Sequence, residues 1–160
     1  MNTRMAATIA LSAAIMVGAS GYTFSANIAT QKDYDPSDGV GTTIDDVSIR
    51  NVLLITDDGE NLNLVMTVAN NAVDDVDLQV SWDLEGASGD ETVSLDGSGL
   101  TAVGGPDDEQ SIVISGTDVT VGSLVPLFFT YGDAEGSQIE VPVLDGTLAE
   151  YELLVPSDSE

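Results

Sequence analysis

The sequence predicts an all-β domain, an antiparallel β-sandwich of Ig-like or jelly-roll-like type with roughly seven or eight strands, preceded by one N-terminal hydrophobic helix. Three observations lead there. Past Lys32 the apolar residues recur with period two and never with a helical period. Gly-rich turn signals break this alternation at intervals of roughly 8 to 15 residues. Before Lys32, in contrast, residues 5–17 are almost wholly apolar or small, and no charge falls between Arg4 and Lys32.

The N-terminal segment, residues 1–31, supports two readings. As a secretory signal, it has a short start containing Arg4, an apolar stretch, and small residues at 18–21 that would suit cleavage. As a retained membrane or filament-core helix, it places Ala6, Ala10, Ala14 and Gly18 at successive i, i+4 positions. Such a stripe of small residues lets helix backbones approach closely where lipid supplies no hydrophobic drive. Arg4 then favours the interior side, with the acidic domain outside. If the segment were cleaved, the alternating Phe24, Ala26 and Ile28 would become a free strand able to pair with an exposed sheet edge, although the same residues also suit an ordinary first strand.

Residues 32–43 are rich in Asp, Gly, Ser and Pro and read as a linker, which puts the sandwich at 44–156 and an acidic tail at 157–160. Within the sandwich, Val76, Leu78, Val80, Trp82 and Leu84 alternate with polar residues and give the clearest strand. Leu62, Leu64, Met66 and Val68 do the same, and the turn Asp57-Asp58-Gly59-Glu60 joins them to a strand at 47–55. Further strands are expected near 91–95, 111–115, 124–131, 138–143 and 148–155, with Trp82, Phe128, Phe129 and Tyr131 as the large core residues.

Composition excludes several kinds of chemistry. The 160 residues hold 28 acidic and 3 basic side chains, a formal charge of -25, and no residue after Arg50 is basic. A chain so poor in Lys and Arg lacks what neutralises phosphates, so no nucleic-acid partner is expected. Self-repulsion on this scale is relieved by molar salt, where the Debye length falls to roughly 3 Å, and the acidity therefore reads as adaptation to high salt. With no Cys and no His, disulfides, structural zinc and His-based acid-base catalysis are unavailable. A Ser nucleophile would need a base, and the only Lys lies in the linker, so no enzyme is expected.

Acidic clusters raise the question of a metal. Asp33, Asp35 and Asp38 in one Gly-containing loop, and Asp57, Asp58 and Glu60 in one turn, offer hard oxygen ligands for Ca²⁺. The spacing departs from an EF-hand, because Gly39 comes one place late and no Glu closes the loop. The expectation is no cofactor, with Ca²⁺ as the candidate to test.

In layout, a small-residue apolar segment followed by an acidic sandwich, the chain resembles the archaellin and archaeal pilin group of surface filament proteins, although only Arg4 precedes the apolar run where that group has a basic leader. A weaker likeness, at Tyr22-Thr23-Phe24-Ser25, is to the TasA group of fibre proteins. The resemblance implies a structural subunit of an extracellular assembly of a halophilic archaeon, self-associating through its N-terminal segment into a pilus-like filament. Two alternatives share the layout: a membrane-anchored capsid or shell protein of a virus of such archaea, and a secreted or membrane-tethered β-sandwich binding module. Each places the protein at the cell surface, outside the cell or in a virion; the leading reading takes further copies of itself, and the membrane through its N-terminal segment, as partners.

Overall fold

The computed structural model of the chain describes residues 37–106, 108 and 110–156. The stripe Ala6, Ala10, Ala14 and Gly18, the stretch with Phe24, Ala26 and Ile28, and Asp33 and Asp35 lie outside the described residues, as does the expected N-terminal helix. The described residues are all-β. They form β1 (Val40–Ile44), β2 (Val47–Thr56), β3 (Asn61–Asn70), β4 (Val76–Leu84), β5 (Ala87–Leu95), β6 (Leu100–Val103), β7 (Ile112–Ser115), β8 (Leu124–Tyr131) and β9 (Ser137–Asp145). Strand β1 begins inside the stretch read as linker. It and β6 are strands that the alternation did not mark.

The nine strands make one continuous sheet in the order β5-β4-β8-β9-β2-β3-β6, with β1 paired to β2 and β7 to β3. Every pairing is antiparallel except one, since β2 and β9 run parallel through Leu54↔Val143, Ile55↔Leu144 and Thr56↔Asp145. The sheet is therefore mixed, which corrects the purely antiparallel expectation. Period two reports which face a residue takes and says nothing of strand direction. Strand β9 pairs β8 over Ser137–Pro142 and then β2 over Val143–Asp145, so one strand carries the chain from one half of the sheet to the other. The sheet curls about this strand, and both halves bury their inner faces in a single core. There Leu78, Val80 and Phe129 meet Leu54, Leu64 and Met66.

Strand β2 owes its form to an irregularity at Asn51. The register against β3 shifts between Arg50 and Leu53, and Asn51 adopts φ 50. The extra residue lets Val47 and Ile49 before it, and Val52 and Leu54 after it, all join the core. Leu53 and Ile55 then face the other way, yet they too are buried. Outer-face burial of this kind requires a cover, and the C-terminal segment reaches this face at Asn63, the partner of Ile55 across β2–β3, which bonds the Leu154 carbonyl.

That segment is not the strand expected at 148–155. The amides of Tyr151 and Glu152 bond to the Leu148 carbonyl at 2.9 and 3.1 Å, and the Leu154 amide bonds to the Tyr151 carbonyl at 2.9 Å, which makes it a succession of turns. Its apolar residues Leu148, Leu153 and Leu154 lack the spacing of a strand. Among the large side chains, Phe129 is fully buried, Trp82 and Tyr131 pack against the core, and Phe128 is 40% exposed. Neighbouring residues on a strand point to opposite faces, so Phe128 and Phe129 cannot both be core residues.

Candidate binding cleft

The C-terminal segment leaves a cleft on the outer face of β3 and β7. On that face Asn61 pairs with Ser115 and Asn63 with Val113, while the even-numbered Leu62, Leu64, Ile112 and Ile114 face the core. The cleft has a volume of about 610 Å³. Its floor is this row of β3 and β7 residues, one wall is the turn at Gly104-Gly105-Pro106, and the other is Leu153–Pro156. Gly104 is required where it stands. Its φ is +83°, and a Cβ there would lie 2.1 Å from the Leu64 carbonyl oxygen and 3.1 Å from Asn63 Oδ1. Asp108 holds the next residue in place by accepting the Gly105 amide at 2.6 Å.

Asn63 joins the two walls. It is 7% exposed, and its Nδ2 donates to the Gly104 carbonyl at 2.8 Å and to the Leu154 carbonyl at 2.8 Å. Two backbone carbonyls on one nitrogen define which end of the amide is which, because the flipped side chain would set oxygen against oxygen. The remaining atom, Asn63 Oδ1, is buried and has no hydrogen-bond partner. An acceptor left in this state costs about 1–3 kcal/mol, so the one buried side-chain orphan among the described residues calls for a reason.

The far end of the segment is tied down separately. Tyr151 donates its hydroxyl to Asp38 Oδ2 at 2.5 Å. This bond, together with partial burial and the charges of Asp38 and Glu150, pushes the Tyr151 hydroxyl up to about 12. Val155 occupies the space beside Gly146, where a Cβ would come within 2.4 Å of its Cγ2. At the segment's start Asp145 accepts the Thr147 hydroxyl at 2.5 Å and the Thr147 amide at 3.2 Å, and these two bonds hold the Asp145 carboxyl below its ordinary value.

Two of the acidic residues read as metal ligands have other work. Asp38 is the acceptor for Tyr151. Asp58 Oδ1 accepts the amides of Glu60 at 2.8 Å and Asn61 at 3.4 Å, closing the β2–β3 turn. That turn is packed from behind, since Thr117 donates to the Gly59 carbonyl at 2.6 Å and a Cβ on Gly59 would sit 2.2 Å from the Val119 carbonyl oxygen. Among the described residues no group of acidic side chains is gathered as a metal site, which corrects the Ca²⁺ expectation for Asp57, Asp58 and Glu60. The cleft has no signature in the residue pattern, because Asn63 holds an ordinary outward position in an alternating strand. Only the return of the C-terminal segment makes that position an interior one.

No family model matches the chain, and no curated protein is similar to it in sequence. Solved structures are similar in fold. The apo PCuAC domain of PmoF1 superposes with a TM-score of 0.53 at 13% identity, over 65% of this chain and 98% of that one. The apo PCuAC domain of PmoF2 gives 0.52 at 14% identity, over 68% and 98%. The fold is PCuAC-like. The copper-bound form of the PmoF2 PCuAC domain lies at 0.48 and 15% identity, over 66% and 98%.

This likeness overturns the archaellin and pilin resemblance. The sheet that the sequence read as a filament protein's sandwich has the fold of a PCuAC domain, nearly the whole of which it covers. The filament subunit, the viral shell and the self-assembling partner fall with that resemblance, and so does the generic binding module. Adaptation to high salt finds no support in these neighbours either. The expectation of no cofactor, with Ca²⁺ as candidate, is likewise displaced, because the neighbours in fold are PCuAC domains and neither is a calcium protein by name.

Copper can be tested against the residues present. Thioether, thiolate and imidazole donors suit copper best. The chain has no His and no Cys, and its four Met are Met1, Met5, Met16 and Met66. Met66 is 1% exposed, inside the hydrophobic core on β3. Residues 37–156 therefore offer copper no accessible sulfur or imidazole, and the PCuAC-like fold is here without a fitting donor set.

Proposed function

We propose that the chain is a non-enzymatic domain of copper-chaperone-like architecture, a carrier whose cargo is something other than a soft-ligated copper ion. The observation that carries this reading is the pairing of a PCuAC-like fold with a domain whose single Met is sealed in the core. The fold supports a role in holding and presenting a ligand. The donor set argues that the ligand has changed. A non-enzymatic role is supported by the lack of His, Cys and Lys from residue 37 onward, which leaves a hydroxyl no nitrogen base to activate it. An extracytoplasmic location, by export or tethering through residues 1–31, is supported by the charge-free apolar stretch at 5–17.

Competition titration of the full chain against a chromophoric Cu(I) chelator tests the cargo. The expected result is that the chelator keeps the metal. A one-to-one Cu(I) complex would restore copper as the cargo, and it would have to use Met1, Met5 and Met16. A variant with all three replaced by Leu would then lose it.

A further inference from the structure

We propose that the cleft between the outer face of β3–β7 and the C-terminal segment binds a small organic N–H donor, an amine or amide with an apolar body, whose N–H is accepted by Asn63 Oδ1. The inference rests on the carrier reading and names the class of its cargo.

Four observations converge. The cavity, about 610 Å³, lies in the size range of small-molecule sites. Its lining is mixed: apolar Pro106, Val113, Leu153 and Pro156 stand beside polar Asn61, Ser111 and Ser115, and Val113 and Leu153 are respectively 44% and 74% exposed, a surface for an apolar body next to the polar floor. At its back stands a buried acceptor with no partner, on a side chain whose orientation two carbonyl bonds determine. An acceptor of this kind selects an N–H or O–H and rejects a carboxylate. The electrostatics agree: Arg50 is the one cation among the described residues, in a chain of charge -25, so an anion is repelled and an ammonium attracted.

Oδ1 is closed off from solvent, so the donor reaches it with an outward shift of Leu153–Pro156. The segment stays anchored through that shift, because the bond of Tyr151 to Asp38 lies before the residues that move. The bound donor then fills the valence that the closed form leaves empty.

Three probes with one branched skeleton separate the possibilities: isoamylamine, isovaleramide and isovalerate, titrated at millimolar concentrations into the ¹⁵N-labelled full chain and followed by heteronuclear NMR. Saturable shifts at the amides of Gly104, Val113 and Leu154 with the amine and the amide, and none with the carboxylate, are expected. Val113→Trp, at an exposed position, should fill the opening and weaken amine binding by about tenfold or more, about 1.4 kcal/mol, with the remaining spectrum unchanged. Two results would overturn the proposal: no saturable shift in the cleft with either donor, or equal shifts with isovalerate. If the amine binds and the chain also takes up Cu(I), the cleft assignment survives while the exclusion of copper does not, so the two failures are distinguishable.

Discussion

Strands β4 and β2 each lie within the sheet and bury the same kinds of side chain, but they solve different problems. In β4, Leu78 and Val80 enter the core while Asp77 and Gln79 stand in solvent, where Asp77 accepts the Ser94 hydroxyl at 2.9 Å and Gln79 donates to Asp90 at 2.9 Å across the β4–β5 pair. In β2, Val52, Leu53, Leu54, Ile55 and Thr56 are buried in succession, because the core takes one face and the C-terminal segment covers the other. Strict alternation therefore marks a strand with one wet face, and an unbroken apolar run marks a strand covered twice. The candidate cleft lies on the covered side, where a fold with a single buried face would have only surface.

Substitutions can break this contrast. The largest effect is expected at Phe129, whose replacement by Ala should cost about 3–5 kcal/mol in urea unfolding, whereas Phe128→Ala, one residue along and on the outer face, should stay within about 0.5 kcal/mol. Equal losses at the two positions would mean that the outer face of β8 is also covered. Next is Ile55→Ala, expected to cost about 2–5 kcal/mol although Ile55 points away from the main core. The same substitution in a chain ending at Asp145 should cost much less, since its cover is gone. A full-sized loss there would assign the burial of Ile55 to something other than the C-terminal segment.

The smallest effect is at Tyr151. Removing its bond to Asp38 by Tyr151→Phe should cost about 0.5–1.5 kcal/mol near neutral pH. Its pH dependence has a definite sign. The hydroxyl is raised from 10.0 to about 12 in the folded chain, so the bond's contribution is complete below pH 10 and lost as pH rises toward 12. The Tyr151→Phe chain should lack this loss, and parallel stability curves for the two chains between pH 9 and about 12 would show that the bond does not hold the segment.

Much of the scaffold is legible in the residues. The β2–β3 hairpin follows from apolar alternation on both sides of Asp57-Asp58-Gly59-Glu60, and β4 from the period of Leu78 and Val80. Strand β6 was not legible. Its four residues, Leu100–Val103, have Leu100 73% exposed and owe their form to pairing with Met66–Ala69. The stretch 148–155 misled, because its Leu and Val content suits a strand while its hydrogen bonds close turns. The acidic turn misled as well, since Asp58 spends its carboxylate on local amides and leaves no set of oxygens to converge on an ion.

What the amino-acid order determined alone was local: which residues extend, which face of each strand is apolar, where the chain turns, and the absence of His and Cys that shuts out whole classes of chemistry. Those properties depend on side-chain pattern and donor type, and neither needs a partner distant in the chain. Strand order, the one parallel pair, the cover over Leu53 and Ile55, and the stranding of Asn63 Oδ1 were decided only by the tertiary structure. Each depends on segments far apart in sequence meeting, as when Leu154 returns to bond Asn63, and the pattern within either segment carries no record of that meeting.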